Sequence, residues 1–217
     1  GFKAVGNLCA PMDELQPEKN AGPECPSNGS NPINGATGNK YQREVDLPTM
    51  SGGLGFVRHY NSYQVLPARL VEPGLPLNWR HSYSRAVRLR TGAVQTAMVS
   101  RPDGRAWSFT LNEDAVWQSD EDVPGRLLAQ WADGEIVGWT YHSKDNEIER
   151  YNGDGQLLSI VSPDALSVML EHQDGRLTRV IDRYGHQLQF YYYPQGHEHE
   201  GLLAELIGPD DARWQYS

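Results

Sequence analysis

Glu147 and Glu149 stand two residues apart in the stretch "NEIERY" (146–151). On a β-strand, side chains two apart share a face and lie roughly 7 Å from each other. Two carboxylates about 5 to 9.5 Å apart across a cleft are what glycoside hydrolysis requires. Any solvated strand face gives the same spacing, and that plainer reading needs no cleft. His197 and His199 in "HEHE" (197–200) would share a face on a strand and could bind a divalent metal with a third ligand. They sit in the Pro- and Gly-flanked stretch "PQGHEHE" (194–200), where a surface loop is the simpler expectation. "RHYNS" (58–62) and "RHSYS" (80–84) place His59 and His81 beside Tyr and Ser, the raw material of a base and a nucleophile. Strand neighbours point to opposite faces, so His59 and Tyr60 cannot cooperate directly, and aromatic packing is expected instead. No phosphate loop is present: "SGGLG" (51–55) has neither a Lys nor a following helix. The expectation is therefore of no catalytic residue, no cofactor and no metal.

These residues need elements to hold them, and the bulk composition says which. The 217 residues suffice for one large or two small domains with a real core. With 22 Gly and 14 Pro, the chain favours many short strands over long helices. Eleven Tyr and six Trp offset a hydrophobic share of only 38%. The net charge of −9 argues against nucleic acid, whose phosphates demand a basic surface. The densest basic stretch is "RAVRLR" (85–90). It reads as a half-buried strand with Arg88 and Arg90 on one face and Val87 and Leu89 on the other. No run of 18 or more apolar residues exists to span a membrane. The chain begins at Gly1 rather than Met, which reads as a processed form from which an export signal could have been cut.

Both cysteines, Cys9 and Cys25, fall in a Pro- and Gly-bearing segment that lacks its own core. They read as a disulfide stapling an irregular tail, in keeping with an oxidising, exported location; a pair of free thiols is the alternative. Closing a loop of about 15 residues is worth roughly 3 kcal/mol in the chain-entropy picture.

Alternating strands separated by Asp-Gly turns run through the rest of the chain. Examples are Ala132-Asp133-Gly134, "NGDG" (152–155) and Gln173-Asp174-Gly175. "LNWRHSYSRAVRLR" (77–90) is long enough for one bent strand or two, and its alternation groups Trp79, His81 and Tyr83. "GRLTRVIDRYGHQLQFYY" (175–192) repeats "GQLLSIVSPDALSVMLEH" (155–172) after twenty residues. A shorter copy follows at "GLLAELIGPDDARWQYS" (201–217). Gly155, Gly175 and Gly201 open the copies, where a hairpin tip calls for positive φ. One copy is too small to bury its own apolar face, so the units must stack into an extended sheet.

The repeat, Gly-x-Leu-x-x-(Ile/Val)-x-(Asp/Ser) followed by Tyr-Gly or its equivalent, resembles the YD repeat of bacterial Rhs proteins. Its fullest copy carries Asp182, Tyr184 and Gly185; the others have Asp164-Ala165 and Asp210-Asp211. "NPINGATGNKYQREVDLP", "LGFVRHYNS" and "LNWRHSYSRAV" resemble the segment that precedes the repeats in Rhs and related polymorphic toxins. The matching residues include Arg58, Tyr60 to Ser62, Trp79, His81 and Tyr83, with Asn78 where Gly is usual. Together the two resemblances cover 31–217. Turn formers such as those of "SNGSNPINGATGN" (27–39) make 1–39 read as an irregular N-terminal segment. The resemblances imply an Rhs-type lead-in domain (40–92) and degenerate YD-repeat hairpins (93–217). The implied fold is all-β, an antiparallel hairpin meander forming a curved, extended sheet of the teneurin and Tc-toxin shell kind. The implied role is structural: to seed or cap a shell that encloses a C-terminal toxin used between competing bacteria. The implied partners are the rest of the same chain, its enclosed toxin, and a secretion-apparatus or chaperone protein. The implied location is secreted or cell-surface, with a periplasmic stage in transit. Two other classes stay open: an exported carbohydrate- or receptor-binding module, and a glycoside hydrolase.

Overall fold

The computed structural model describes residues 2–5, 8–11, 38–62, 74–90, 92, 94–123 and 125–217. Among them every regular element is a strand, apart from one 3-10 turn at Pro209–Asp211. All strand pairing is antiparallel and the sheets are open. The Cys9–Cys25 disulfide lies outside the described side chains. Part of the segment expected to be irregular is regular: β1 (Phe2–Val5) pairs with β2 (Leu8–Pro11).

β3 (Tyr41–Leu47), β4 (Phe56–Asn61) and β5 (Trp79–His81) form a three-stranded sheet. β6 (Ala86–Arg90), β7 (Thr96–Ser100), β8 (Ala106–Leu111) and β9 (Trp117–Gln118) form a second. The run 77–90 is thus two strands in two sheets. It breaks because Ser84 and Arg85 donate backwards to the carbonyls of His81 (2.8 Å) and Tyr83 (2.8 Å), a turn that ends the ladder. The boundary expected between 92 and 93 falls inside the second sheet, since β6 pairs along its length with β7.

Nine strands in strict chain order build the third sheet. They are β10 (Arg126–Ala132), β11 (Glu135–His142), β12 (Ile148–Asn152), β13 (Leu157–Val161), β14 (Ser167–Gln173), β15 (Arg176–Asp182), β16 (Gln187–Tyr192), β17 (Leu203–Ile207) and β18 (Arg213–Gln215). The repeat dictates its core. Leu157 and Ile160, Leu177 and Val180, and Leu203 and Leu206 are all buried on one face. Val168 and Leu170 match Leu188 and Phe190 on the intervening strands. Burying each such side chain stabilises by about 1.5–3 kcal/mol. A register slip of one residue would expose the whole set, so the alternation itself fixes the pairing.

The pairing skips one residue at Val137, Leu158, Thr178 and Ala204, on β11, β13, β15 and β17. Each is a β-bulge, which bends its strand and raises the local twist. Because the bulges recur with the repeat, on alternate strands, they bend the sheet repeatedly. This is the physical source of a curved sheet.

Two kinds of tip recur. Asp133-Gly134 and Asp174-Gly175 are two-residue tips with both residues at positive φ. At Arg101, Asn112, Ser143, Asn152, Ser162 and Asp182 a five-residue turn begins instead. In each, the first N–H donates to the fifth carbonyl and the fourth N–H to the first carbonyl. The fourth residue is left-handed: Gly104, Ala115, Asn146, Gly155, Ala165 and Gly185. Gly155 and Gly175 therefore match in sequence and in positive φ, yet serve different turns. Gly185 holds this position with no steric cost, while Ala165 holds it at φ 58°. The left-handed form costs an L-residue about 1–2 kcal/mol, against about 0.5–1 kcal/mol for the extra freedom of an unfolded Gly. Ala165→Gly is expected to stabilise by up to about 1 kcal/mol, raising Tm by roughly 2–4 °C. A lowered Tm in differential scanning calorimetry would refute the strain argument.

Candidate functional site

β3, β4 and the turn after β5 lie across the apolar face of the nine-stranded sheet, and the side chains with chemistry converge there. Leu54, Phe56, Tyr83 and Val87 share one core with Ile160, Leu188 and Phe190. Phe56 meets Phe190 edge-on at 5.7 Å, and Tyr83 meets Phe190 at 6.4 Å. Main chain meets main chain at Gly155, whose carbonyl accepts from Val87 N–H at 2.9 Å.

Within this apolar contact sits a charge. Glu149 is fully buried (0% exposed). Both its oxygens accept from Arg101 Nη1 at 2.7 Å, and Arg85 and the Tyr151 hydroxyl bond it as well. Arg85 also donates to Glu147 Oε2 at 3.0 Å and, through Nε, to the Ser82 carbonyl at 3.2 Å. The Arg101 guanidinium lies 5.1 Å from the centre of the Tyr141 ring. Two guanidiniums and two carboxylates close a neutral cluster. Burial pushes the Glu149 carboxyl up; the two guanidiniums and the Tyr151 hydroxyl together outweigh it and hold the group below the usual carboxylate range. Burial also pushes the Tyr151 hydroxyl well up, and the Glu149 charge adds to it. The expected pair Glu147 and Glu149 does share a face. It is not a solvated strand face, because Glu149 is buried, bonded on both oxygens and held ionised.

Both histidine motifs pack against neighbouring aromatic side chains. Tyr41 Oη and His59 Nδ1 are 2.6 Å apart. His81 stacks on Phe56 at 5.3 Å and accepts from the Tyr83 N–H at 3.2 Å. Burial pushes His59 down to about 4 and His81 down to about 3. Both stay neutral in the folded state while the unfolded chain takes up protons below about pH 6.5. Stability therefore falls on acidification from about pH 6.5 towards 4, by about 1.4 kcal/mol per pH unit for each histidine. Burial pushes His172 down as well. Chemical denaturation at pH 7, 6 and 5 should show the combined slope, and His81→Phe should flatten it by up to about 1.4 kcal/mol per pH unit. An unchanged slope in that variant would refute the assignment.

The expected alternation of Trp79, His81 and Tyr83 reaches only its first two members, because β5 ends at His81 and Tyr83 lies in the turn beyond it. Trp79 packs on Tyr60 at 5.3 Å and under the Arg58 guanidinium at 5.1 Å, with Tyr216 5.2 Å from that guanidinium. Arg58 grips Asp46 through Nε (2.6 Å) and Nη2 (2.9 Å), and the Tyr216 hydroxyl donates to Asp46 Oδ2 at 2.8 Å. Asp46 is an extra residue in β3, between the pairs Val45–Val57 and Leu47–Phe56. That bulge breaks the alternation of β3 ahead of Leu47, and Val45 is exposed.

Asp182 is a third polar contact. Its Oδ1 accepts from the N–H groups of Tyr184 (2.8 Å) and His186 (2.9 Å), and Oδ2 lies 2.9 Å from His186 Nδ1. A Cβ on Gly52 would overlap Oδ2, so the lead-in chain passes directly over this carboxylate. Tyr184 is exposed beside Gly185, where it marks the corner without filling the core. Gly175 has open space around it, whereas a Cβ at Gly201 would meet Arg176 Nη2 at 2.8 Å. His197 stacks on Tyr193 at 4.2 Å, and His199 lies 5.5 Å from the same ring. Among the described residues no group of three His, Cys, Asp or Glu side chains could hold a metal ion. Val87 is buried as expected, but Leu89 is exposed (41%).

Arg85 and Arg101 had no motif to announce them as partners of Glu149. One sequence signal did exist: Glu149 falls where the following repeats carry Val168 and Leu188. An acidic residue in an apolar column calls for a buried cation.

Residues 30–109 match a family described as a domain of unknown function, DUF6531. No curated protein matches the chain. The matched stretch contains Asp46, Arg58, His81, Arg85 and Arg101, and ends before the nine-stranded sheet begins. No helix of the described residues is long and apolar enough to cross a membrane.

Proposed function

We propose that this chain is a non-catalytic structural part of an Rhs/YD-repeat polymorphic toxin. Its lead-in strands cap the first turns of a β-shell that encloses a C-terminal toxin used in competition between bacteria. One observation carries the reading: a strictly sequential antiparallel sheet with bulges at the repeat spacing, covered on one face by the lead-in strands, which share its core. The charged and titratable groups of that contact are spent on each other, which suits a structural joint better than a reaction centre. The partners on this reading are the rest of the chain, its enclosed toxin and a secretion or chaperone protein. The location is secreted or cell-surface.

The test begins with the open reading frame that carries this chain. Further Gly-x-Leu-x-x-(Ile/Val) units leading to a variable end are expected. In the full-length protein, deletion of 38–118 should then expose the C-terminal part to protease. A frame without such units, or a C-terminal part equally cleaved in both forms, overturns the reading.

A second reading has its own observation. An open groove of about 580 Å³ is lined by Trp79, Trp214, Tyr216, Arg58 and Asp46. Aromatic faces beside a fixed carboxylate and guanidinium suit a sugar or a receptor loop. Glycan-array binding abolished by Trp214→Ala would favour it.

A further inference from the structure

Repetition gives the lead-in segment a problem of address. Four hairpins of the large sheet present the same kind of core pair beside their tips: Tyr141–Glu149, Ile160–Val168, Val180–Leu188 and Leu206–Trp214. Beside the Val87–Gly155 main-chain bond and the Asp46–Tyr216 bond, the lead-in segment meets this face through apolar side chains such as Leu54, Phe56 and Tyr83. Such contacts are non-directional, and a seat one hairpin further along offers similar ones. The connection from β9 to β10 does not forbid that seat. Residues 119–125 can reach up to about 23 Å, while two strands span only about 10 Å.

We propose that Glu147 and Glu149 are a register key, read by Arg85 and Arg101, that selects the β11–β12 hairpin as the seat of the lead-in segment. The key is unique to that hairpin. Where it has Glu147 and Glu149, the next has Leu166 and Val168, the third His186 and Leu188, and the fourth Ala212 and Trp214. The readers come from two separate turns, Arg85 between β5 and β6 and Arg101 between β7 and β8, so both lead-in sheets are addressed at once. Seated one hairpin along, Arg85 would face Leu166 and Val168, and two buried guanidiniums would lose their carboxylates. A buried charge stripped of its partner is strongly destabilising, whereas the intact pair adds little over apolar packing. The cluster therefore acts by penalising wrong seats, the use for which buried polar groups are best suited. The inference needs only the geometry of this contact and holds whether or not a shell is built.

The test removes the key while keeping the volume: Arg85→Met, Arg101→Met, Glu147→Leu and Glu149→Leu together. In the parent, ring-to-ring NOEs should link Tyr83 with Phe190, in one set of resonances. The fourfold variant should fold but show doubled lead-in resonances, with some Tyr83 signal moving to Tyr216, the counterpart of Phe190 on the next hairpin. A single set with the parental Tyr83–Phe190 contact overturns the proposal. Where the fourfold variant fails to fold, the isosteric Glu149→Gln decides. Hydrogen exchange in β3–β5 should then accelerate at least tenfold more than in β15–β16. Uniform acceleration across both would mean that the cluster only stabilises, and would overturn the proposal equally.

Discussion

Replacing Glu149 with alanine is expected to remove about 3–5 kcal/mol of stability, because it takes the carboxylate from buried Arg101 and leaves Arg85 with only one of its two. Desolvation decides the size of this effect. Two guanidiniums already stripped of water cannot regain it without opening the joint between the lead-in strands and the sheet. Glu205→Ala is the control: its partner Arg213 is exposed, and such a pair is worth about 0.2–1 kcal/mol. Urea denaturation at pH 7 would compare the two, and similar losses would sink the argument. The same cluster sets an acid limit. The folded-state pKa of Glu149 is depressed, so its contribution is present above the unfolded value of about 4.3 and is lost as pH falls below it. That window lies below the one set by His59 and His81. Acid unfolding should therefore steepen in two stages, and Glu149→Gln should weaken only the lower one, to which Asp182, held down by its bonds to His186 and Tyr184, also contributes.

Gly155→Ala should cost about 2–5 kcal/mol, while Gly175→Ala costs about 1–2 kcal/mol. Both glycines are left-handed, at φ 77° and 78°, so both variants pay the same backbone strain. They differ in surroundings. The new Cβ at 175 meets nothing within 4 Å, whereas at 155 it would overlap the carbonyl oxygen of Val87. That overlap forces β6 away from the sheet and stretches the bond from Val87 N–H to the Gly155 carbonyl. Overpacking of this kind adds about 1–3 kcal/mol. Gly175→Val remains more costly than a surface change, through strain alone. Equal denaturation midpoints for the two alanine variants would show that the close approach carries no energy.

The strands from β10 onward could be read from the sequence because each is local: an alternating run, a tip with Asp-Gly or Asx chemistry, then another run. β9 was missed since Trp117–Gln118 is too short for a period to show. The split of 77–90 depended on the Ser82–Arg85 turn, whose backward hydrogen bonds leave no periodic trace. Trp79 was grouped with His81 and Tyr83 by an alternation that stops two residues before Tyr83. The charged cluster was the least legible part. Arg85 and Arg101 lie 64 and 48 residues from Glu149 in sequence, and only the stacking of lead-in strands on the sheet unites them. Asp46 was hidden for a related reason: a bulge re-aims it, and bulges are properties of pairs of strands.

The "PQGHEHE" loop separates the count of strands from the count of residues. After it, Leu203 and Leu206 pair with Tyr192 and Phe190, as Leu177 and Val180 pair with His172 and Leu170 across a two-residue tip. Six extra residues therefore leave no trace in the hydrophobic rows that follow. A chain built this way can gain or lose sequence at such a crown without a frameshift in its architecture. Foreign sequence, whether an epitope or a small guest domain, belongs between Pro194 and Glu200, where the scaffold already tolerates length as a neutral variable.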